Sequence, residues 1–227
     1  MPRLVLFDID GTLVLTGGAG VRAMNRAFEA TFEVPDAFAG IALAGRTDRI
    51  ILADALERWR VEHDEAIAAR FRDTYYGYLA EEVEKPGPRK GVLPGVRGLL
   101  AALAGLDGVF LALLTGNYSR AAQIKLEHFD LWQYFACGAF GEDAHDRNHL
   151  VEIAVSRARA HGAPAVPPSD VLIVGDTPLD VACARAGGAR PIAVATGSHT
   201  VDELRESGAE VVFSDLTDRR RFLDLLG

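Results

Sequence analysis

Leu4-Val5-Leu6-Phe7-Asp8-Ile9-Asp10-Gly11-Thr12 joins an apolar run to a pair of carboxylates and a glycine. The run is continuous rather than alternating, the pattern of a strand buried on both faces of a parallel sheet. Residues two apart on an extended chain point to the same side. Asp8 and Asp10 therefore face one site while Ile9 packs the other way. Gly11 then lets the chain turn with no Cβ to obstruct it.

Working outward, similar short runs recur at Val109–Leu114, Val171–Val174, Ile192–Val194 and Val211–Phe213. Helical patterning separates them in the second half, at roughly 96–104, 118–129, 148–161, 178–187, 200–207 and 216–226. Strand and helix signals in alternation predict an α/β fold, a doubly wound parallel sheet. One stretch breaks the alternation. From about Gly20 to Val83 the pattern is helical throughout, with Ala53, Leu56, Trp59 and Arg60 forming one amphipathic turn and Ile67, Phe71, Thr74, Tyr75 and Tyr78 another. Gly- and Pro-rich joins flank it, at Thr16-Gly17-Gly18 and at Pro86-Gly87-Pro88, and these read as linkers. The expected organisation is a core of residues 1–15 and 91–227 with a helical insert, 16–90, placed as a mobile lid.

Composition narrows the function classes. Of the 227 residues, 49% are hydrophobic and 25% charged, enough for a core that needs no disulfide or metal to fold. The net charge is −8 and no cluster of Lys and Arg stands out, which argues against a nucleic-acid partner. Arg219-Arg220-Arg221 sits between Asp218 and Asp224 and reads as a solvated helix face. No apolar run reaches membrane-spanning length, and Met1-Pro2-Arg3 leads directly into the first strand with no room for a signal sequence. Cys137 and Cys183 lie in apolar, Ala-rich surroundings that suit reduced thiols. A cytoplasmic protein is expected.

Ligands of open parallel sheets bind beyond the carboxyl ends of the strands, so the residues after each run carry the chemistry. They are Asp8 and Asp10; Thr115-Gly116-Asn117; Gly175-Asp176-Thr177-Pro178-Leu179-Asp180; and Thr196-Gly197. Two close carboxylates repel, and one holds its proton unless a cation intervenes. Asp8, the Asp10 region and Asp176 supply hard oxygen ligands suited to Mg²⁺, an ion that also neutralises a phosphate. The Thr115 hydroxyl and the Gly116 and Asn117 amides are candidate donors to phosphate oxygens. Arg147, just ahead of a helix in Asp146-Arg147-Asn148, is the candidate fixed cation. Thr177-Pro178-Leu179-Asp180 also has the form of a helix start with a capping box.

These motifs, in this order, resemble the haloacid dehalogenase superfamily, most closely its phosphoglycolate-phosphatase and phosphoglucomutase-like branch. Asp8-Ile9-Asp10-Gly11-Thr12-Leu13 is similar to the first motif, Leu113-Leu114-Thr115-Gly116-Asn117 to the second and Gly175-Asp176-Thr177-Pro178-Leu179-Asp180 to the fourth. The resemblance implies a Rossmann-like core with a helical cap. It implies Asp8 as the nucleophile that forms an aspartyl-phosphate, and Asp10 as general acid and then base. It places Mg²⁺ on the Asp8 side chain, the Asp10 carbonyl and Asp176, with Asp180 supporting that shell. The third motif departs from the pattern: a Lys is usual, and this chain has Arg147, with Lys125 the other cation to weigh. Arg keeps the charge but is a planar fork rather than a point. In the insert, Gly45-Arg46-Thr47-Asp48 is where the family reads its substrate, so Arg46 is a candidate clamp for a carboxylate or second phosphate. A helix N-cap at Thr47 or Asp48 with a solvated Arg is the other reading. The expected function is a Mg²⁺-dependent phosphatase acting on a small phosphorylated metabolite, phosphoglycolate-like or a sugar phosphate, as a monomer or homodimer. The alternatives are a sugar-phosphate mutase and a non-catalytic phosphate-ligand-binding protein.

Overall fold

The computed structural model describes residues 3–227. Every apolar run read from the sequence is a strand: β1 (Arg3–Phe7), β4 (Val109–Leu114), β6 (Val171–Gly175), β7 (Arg190–Val194) and β8 (Val211–Phe213). Together with β5 (Gly138–Ala139) they form one parallel sheet in the order β5-β4-β1-β6-β7-β8. The two-residue β5 was not expected, because a Gly-Ala pair carries no strand pattern of its own. Its position is fixed by pairing to Leu113 and Leu114.

The continuous hydrophobicity of β1 has the expected cause. Val5 and Phe7 belong to one buried cluster while Leu4 and Leu6 belong to another on the opposite face, as a period of two requires. On the first face α4 (Val96–Ala104) and α5 (Ser119–His128) contribute Leu99, Leu100, Leu103, Ala122 and Leu126. On the second face α6 (Leu150–Ala160) and α7 (Pro178–Ala186) contribute Leu150, Val151, Ala154, Cys183 and Ala184. Two shorter helices, α8 (Val201–Glu206) and α9 (Arg219–Asp224), complete the core. Asp218 caps α9, and Arg221 lies 4.3 Å from the centre of the Phe213 ring. Register then positions the site. Phe7 stands opposite Leu113 on one side and Val174 on the other, so Asp8, Thr115 and Asp176 emerge at one edge. Because the chain moves from β1 to opposite sides of the sheet, this edge is also the switch point where α/β ligands bind.

Three helices stand between the second and third strands: α1 (Ala19–Phe32), α2 (Asp48–Trp59) and α3 (Glu65–Glu82). Their core holds Met24, Phe28, Ile51, Leu52, Phe71 and Tyr75, and Tyr118, Ala121 and Ile124 from the start of α5 pack into it. The joins are more structured than linkers. Val14–Leu15 (β2) and Gly91–Val92 (β3) pair as an antiparallel ribbon, so the insert leaves and returns through one two-stranded stalk. The expected apolar face of α2 is corrected. Ala53 is exposed, Trp59 is 43% exposed, and Arg60 is a left-handed C-cap; the buried face is Ile51, Leu52, Ala55 and Leu56. Trp59 is held at the rim instead, its indole N–H donating to the Ala37 carbonyl at 3.0 Å. Among the described residues no helix is long and apolar enough to cross a membrane.

Candidate active site

Asp8 follows β1 directly, and its N–H donates to the Val174 carbonyl at 2.9 Å, which extends the ladder one residue and fixes the side chain at the sheet edge. It is buried. Gly11 turns with φ 83°, and a side chain there would collide with the Asp176 carboxylate. The turn is pinned from outside by Thr196, whose hydroxyl donates to the Gly11 carbonyl at 2.6 Å. Thr12 donates to Asp176 Oδ1 at 3.3 Å.

Asp8, Asp176 and Asp180 offer carboxylate oxygens that all lie within 4.8 Å of one another, and all three residues are buried. Burial first, then repulsion from Asp180, pushes the Asp8 carboxyl up to about 7, with Arg147 pulling it back down. Burial, Asp180 and Asp8 push Asp176 up to about 9. Three buried acids with all-oxygen donors are a site short of positive charge, which is what a hard divalent cation such as Mg²⁺ requires. The Asp10 side chain is not in this cluster.

Arg147 supplies one cation to it. Asp146 caps the short 3₁₀ turn Arg147–His149 by accepting from the Asn148 N–H at 2.9 Å, which sets the direction of the buried Arg147 side chain. Its Nη2 pairs with Asp180 and lies 3.4 Å from Asp8 Oδ1; its Nη1 donates to the Gly45 carbonyl of the insert at 2.8 Å. Burial works against this charge, but Asp180 and Asp8 more than offset it and raise the pKa. Asp180 has a second task. Its Oδ2 accepts from the Thr177 N–H at 3.0 Å and from the Thr177 hydroxyl at 2.7 Å, completing the capping box of α7. The capping-box reading of that segment is realised, and the same carboxylate also lies beside Asp8 and Asp176.

Lys125 goes elsewhere. From α5 its Nζ reaches Asp10 Oδ2 and Asn117 Oδ1, both at 2.6 Å. The Asn117 amide nitrogen donates to the same Asp10 oxygen at 2.9 Å and to the Thr115 hydroxyl at 2.8 Å. Of the two cations weighed for the third motif, Arg147 meets Asp8 and Lys125 meets Asp10. The Asp10 side chain remains 41% exposed, open to the cleft. Gly116 packs so close to the insert that a Cβ would strike the Arg46 backbone, and its carbonyl accepts from the Asp48 N–H at 2.7 Å.

Arg46 borders the cleft, but its guanidinium pairs with Asp54 at 2.7 Å and donates to the Ala42 carbonyl at 3.0 Å. Thr47 is the N-cap of α2, accepting from the Ile50 N–H at 3.3 Å. Asp48 crosses to the core, where its Oδ2 accepts from the Tyr118 N–H at 2.9 Å; burial pushes this carboxyl up to about 7, with Lys125 lowering it. Sequence reading offers Asp48 as a helix N-cap and Tyr75 as part of the apolar core of the insert; the structure places Tyr75 in that core and sets both residues along the cleft as well. For Asp48 the helix-start pattern hid a second role. The signal for Lys125 was present, a lysine between Ile124 and Leu126 on a helix face, but nothing local named its partner. The resulting cleft, about 480 Å³, runs from Asp8, Asp176 and Arg147 past Asp10 to Val21, Met24, Ile51 and Tyr75 of the insert.

The family model for haloacid dehalogenase-like hydrolases matches residues 5–194. A Dickeya dadantii protein named "Probable phosphatase IndB" is 32% identical over 235 residues, covering 96% of this chain and 92% of its own length. A phosphoglycolate phosphatase of Rhodospirillum rubrum is 29% identical over 217 residues, covering 95% and 88%. Among solved structures, a Haemophilus somnus protein described as a predicted phosphoglycolate phosphatase superposes with a TM-score of 0.70 at 20% identity, covering 98% of both chains. At that identity the likeness is one of fold.

Proposed function

The chain belongs to the haloacid dehalogenase-like hydrolases, and from that premise we propose that it is a Mg²⁺-dependent phosphatase that hydrolyses a small phosphomonoester through an aspartyl-phosphate on Asp8. One observation carries the reading: a buried Asp8 lies beside Asp176 and Arg147, while Asp10, two residues on, opens to the same cleft. The relatives named as phosphatases, with phosphoglycolate among their substrates by name, agree with this class.

In the proposed reaction the Asp8 carboxylate attacks phosphorus and the bond to the leaving alcohol breaks. Asp10 gives its proton to that oxygen. Asp10 then takes a proton from water, the water oxygen attacks phosphorus, and the bond to Asp8 breaks to release inorganic phosphate. The Gly116 and Asn117 amides, the Thr115 hydroxyl and Arg147 hold phosphoryl oxygens. The Nε of Arg147, buried with no hydrogen-bond partner, is a donor left over for this purpose. Asp8, Asp176 and the Asp10 carbonyl would hold Mg²⁺, with Asp180 fixing Arg147 beside them. When bound, the ion neutralises charge on nucleophile and phosphate alike. The helices of residues 16–90 act as the cap. The exposure of the Asp10 side chain favours hydrolysis over a mutase, which must keep water from its phospho-enzyme.

The test is phosphate release from an aryl phosphate in Mg²⁺. Wild type should turn over and Asp8→Asn should not. Equal rates for the two would refute the proposal.

A further inference from the structure

The cleft continues past Asp10 into the insert, where its character changes. Val21 and Met24 of α1 and Ile51 of α2 make an apolar wall. Against it stand three buried polar groups. Lys125 Nζ is held by Asp10 and Asn117. Asp48 is held through one oxygen by the Tyr118 N–H. Tyr75 Oη is different: the residue is 0% exposed and its hydroxyl has no hydrogen-bond partner. A buried hydroxyl left unpaired is costly, so such a group calls for an explanation.

Gly20 supplies the space for one. A Cβ on this residue would stand 3.6 Å from Lys125 Nζ and 3.9 Å from Tyr75 Oη. Its missing side chain leaves a gap onto which both polar groups open, next to Asp10, where the proposed reaction puts the leaving oxygen. The charges there oppose an acid. Lys125 is already paired, and Asp10 and Asp48 set two carboxyl groups against that single ammonium. Arg46 is neutralised by Asp54. Arg89 borders the cleft from the other side, donating to the Thr196 carbonyl at 3.0 Å, next to Gly197 and Asp176.

We propose that this end of the cleft is a leaving-group subsite for an uncharged ring-sized alcohol, which lays an apolar face on Val21, Met24 and Ile51 and offers a hydroxyl to Tyr75 Oη. It selects against leaving groups that carry a carboxylate. The inference rests on the phosphatase reading above and specifies its substrate class. Apolar walls with a few placed polar groups are the usual build of such sites. An unpaired buried donor is the strongest discriminator available to them, because a substrate lacking the matching group leaves it unsatisfied.

The experiment compares kcat/KM, in Mg²⁺, for cyclohexyl phosphate, its 2-hydroxy and 2-carboxy derivatives, and phosphoglycolate. The hydroxy compound should exceed the parent by roughly fivefold to tenfold, the worth of about one hydrogen bond. The carboxy compound and phosphoglycolate should fall below the parent by at least about tenfold. Tyr75→Phe should erase the hydroxyl advantage, so that the hydroxy compound no longer exceeds the parent on the same variant. Gly20→Ala, which the helix tolerates, should raise KM for the ring compounds and not for phosphoglycolate. A preference for phosphoglycolate or the carboxy compound overturns the subsite, as does a hydroxyl advantage that survives Tyr75→Phe. Asp8-dependent hydrolysis of an aryl phosphate with no such preferences refutes the subsite alone; no hydrolysis of any ester refutes the phosphatase reading with it.

Discussion

Arg147 is the buried cation beside Asp8, and its replacement is the sharpest test of the site. The side chain meets two carboxylates, Asp180 and Asp8, and one carbonyl, Gly45. Arg147→Lys keeps the charge, but a single ammonium cannot reproduce a fork that spans three acceptors. It should lose about one charge-assisted hydrogen bond, worth about 1.5–3 kcal/mol. At 1.36 kcal/mol per decade that is a fall of roughly 10- to 100-fold in kcat/KM. Arg147→Met removes the charge and leaves three buried carboxylates within 4.8 Å of one another. Breaking a buried pair from one side costs about 3–5 kcal/mol, so the loss should reach roughly 10²- to 10⁴-fold. The assay is steady-state hydrolysis of an aryl phosphate in saturating Mg²⁺, with thermal melts beside it to separate lost chemistry from lost fold. An Arg147→Met enzyme within about threefold of wild type, or an Arg147→Lys enzyme faster than wild type, would refute the argument. The second result would mean that a single ammonium suits the Asp8 site better than a guanidinium held by Asp180 and Gly45.

Three further outcomes are expected. Asp8 and Asp176 titrate near 7 and 9, above the free value of 3.8, so the folded chain holds protons that the unfolded chain sheds. Metal-free stability should therefore fall as pH rises from about 4 to 9, and Mg²⁺ should raise the melting temperature more at pH 8.5 than at pH 5.5; a metal-free melting temperature that climbs across this window would contradict it. Lys125→Met leaves Asp10 Oδ2 with only its 2.9 Å bond from Asn117, and kcat/KM should drop roughly 10- to 100-fold; an unchanged value would show that Lys125 does not orient Asp10. Glu82 at the end of α3 is buried and binds Arg22 at 2.7 Å, Arg26 at 2.8 Å and Lys85 at 2.6 Å. Burial opposes its charge, but these bonds win and hold the carboxyl down at about 2. Its contribution is present above pH 4.5 and lost as pH falls toward 2. Glu82→Gln should lower the melting temperature at pH 7 by a few degrees, from a loss of about 1–3 kcal/mol, and the difference should shrink in acid.

The strands were legible because their signal is local. A run such as Leu4-Val5-Leu6-Phe7 must be buried on both faces, and only a covered parallel sheet offers that. The edge chemistry followed from it. Once β1, β4 and β6 lie in register, Asp8, Thr115 and Asp176 have to meet, whatever packs around them. The contacts not legible were those made with partners far along the chain. Lys125 and Asp10 are 115 residues apart and Arg147 and Gly45 are 102 apart; periodicity carries no information about such pairs. Arg46 is a different case: it borders the cleft, and its acidic partner Asp54 is close in sequence, two turns along α2, a pairing that a substrate-centred reading passes over.

The joins of the insert show a different limit. Gly and Pro mark where the chain leaves regular structure, but not what it does there. Here the two joins pair with each other as β2 and β3. Besides the apolar packing of α5, three contacts that seat the insert on the core use backbone groups: the Asp48 N–H on the Gly116 carbonyl, the Gly45 carbonyl on Arg147, and the Tyr118 N–H on Asp48. Main-chain donors and acceptors are the same at every residue, so no side-chain pattern announces them. Two of those contacts end on residues assigned to phosphate. Gly116 lies in the second-motif loop, and Arg147 faces Asp8. Movement of the insert away from this edge would break one of the bonds that hold Arg147 and the bond on the loop that follows Thr115. The cation and the amides proposed to hold the phosphoryl group are therefore fully placed only while the insert is seated, which makes the seating of the helical layer part of the site rather than a cover over it.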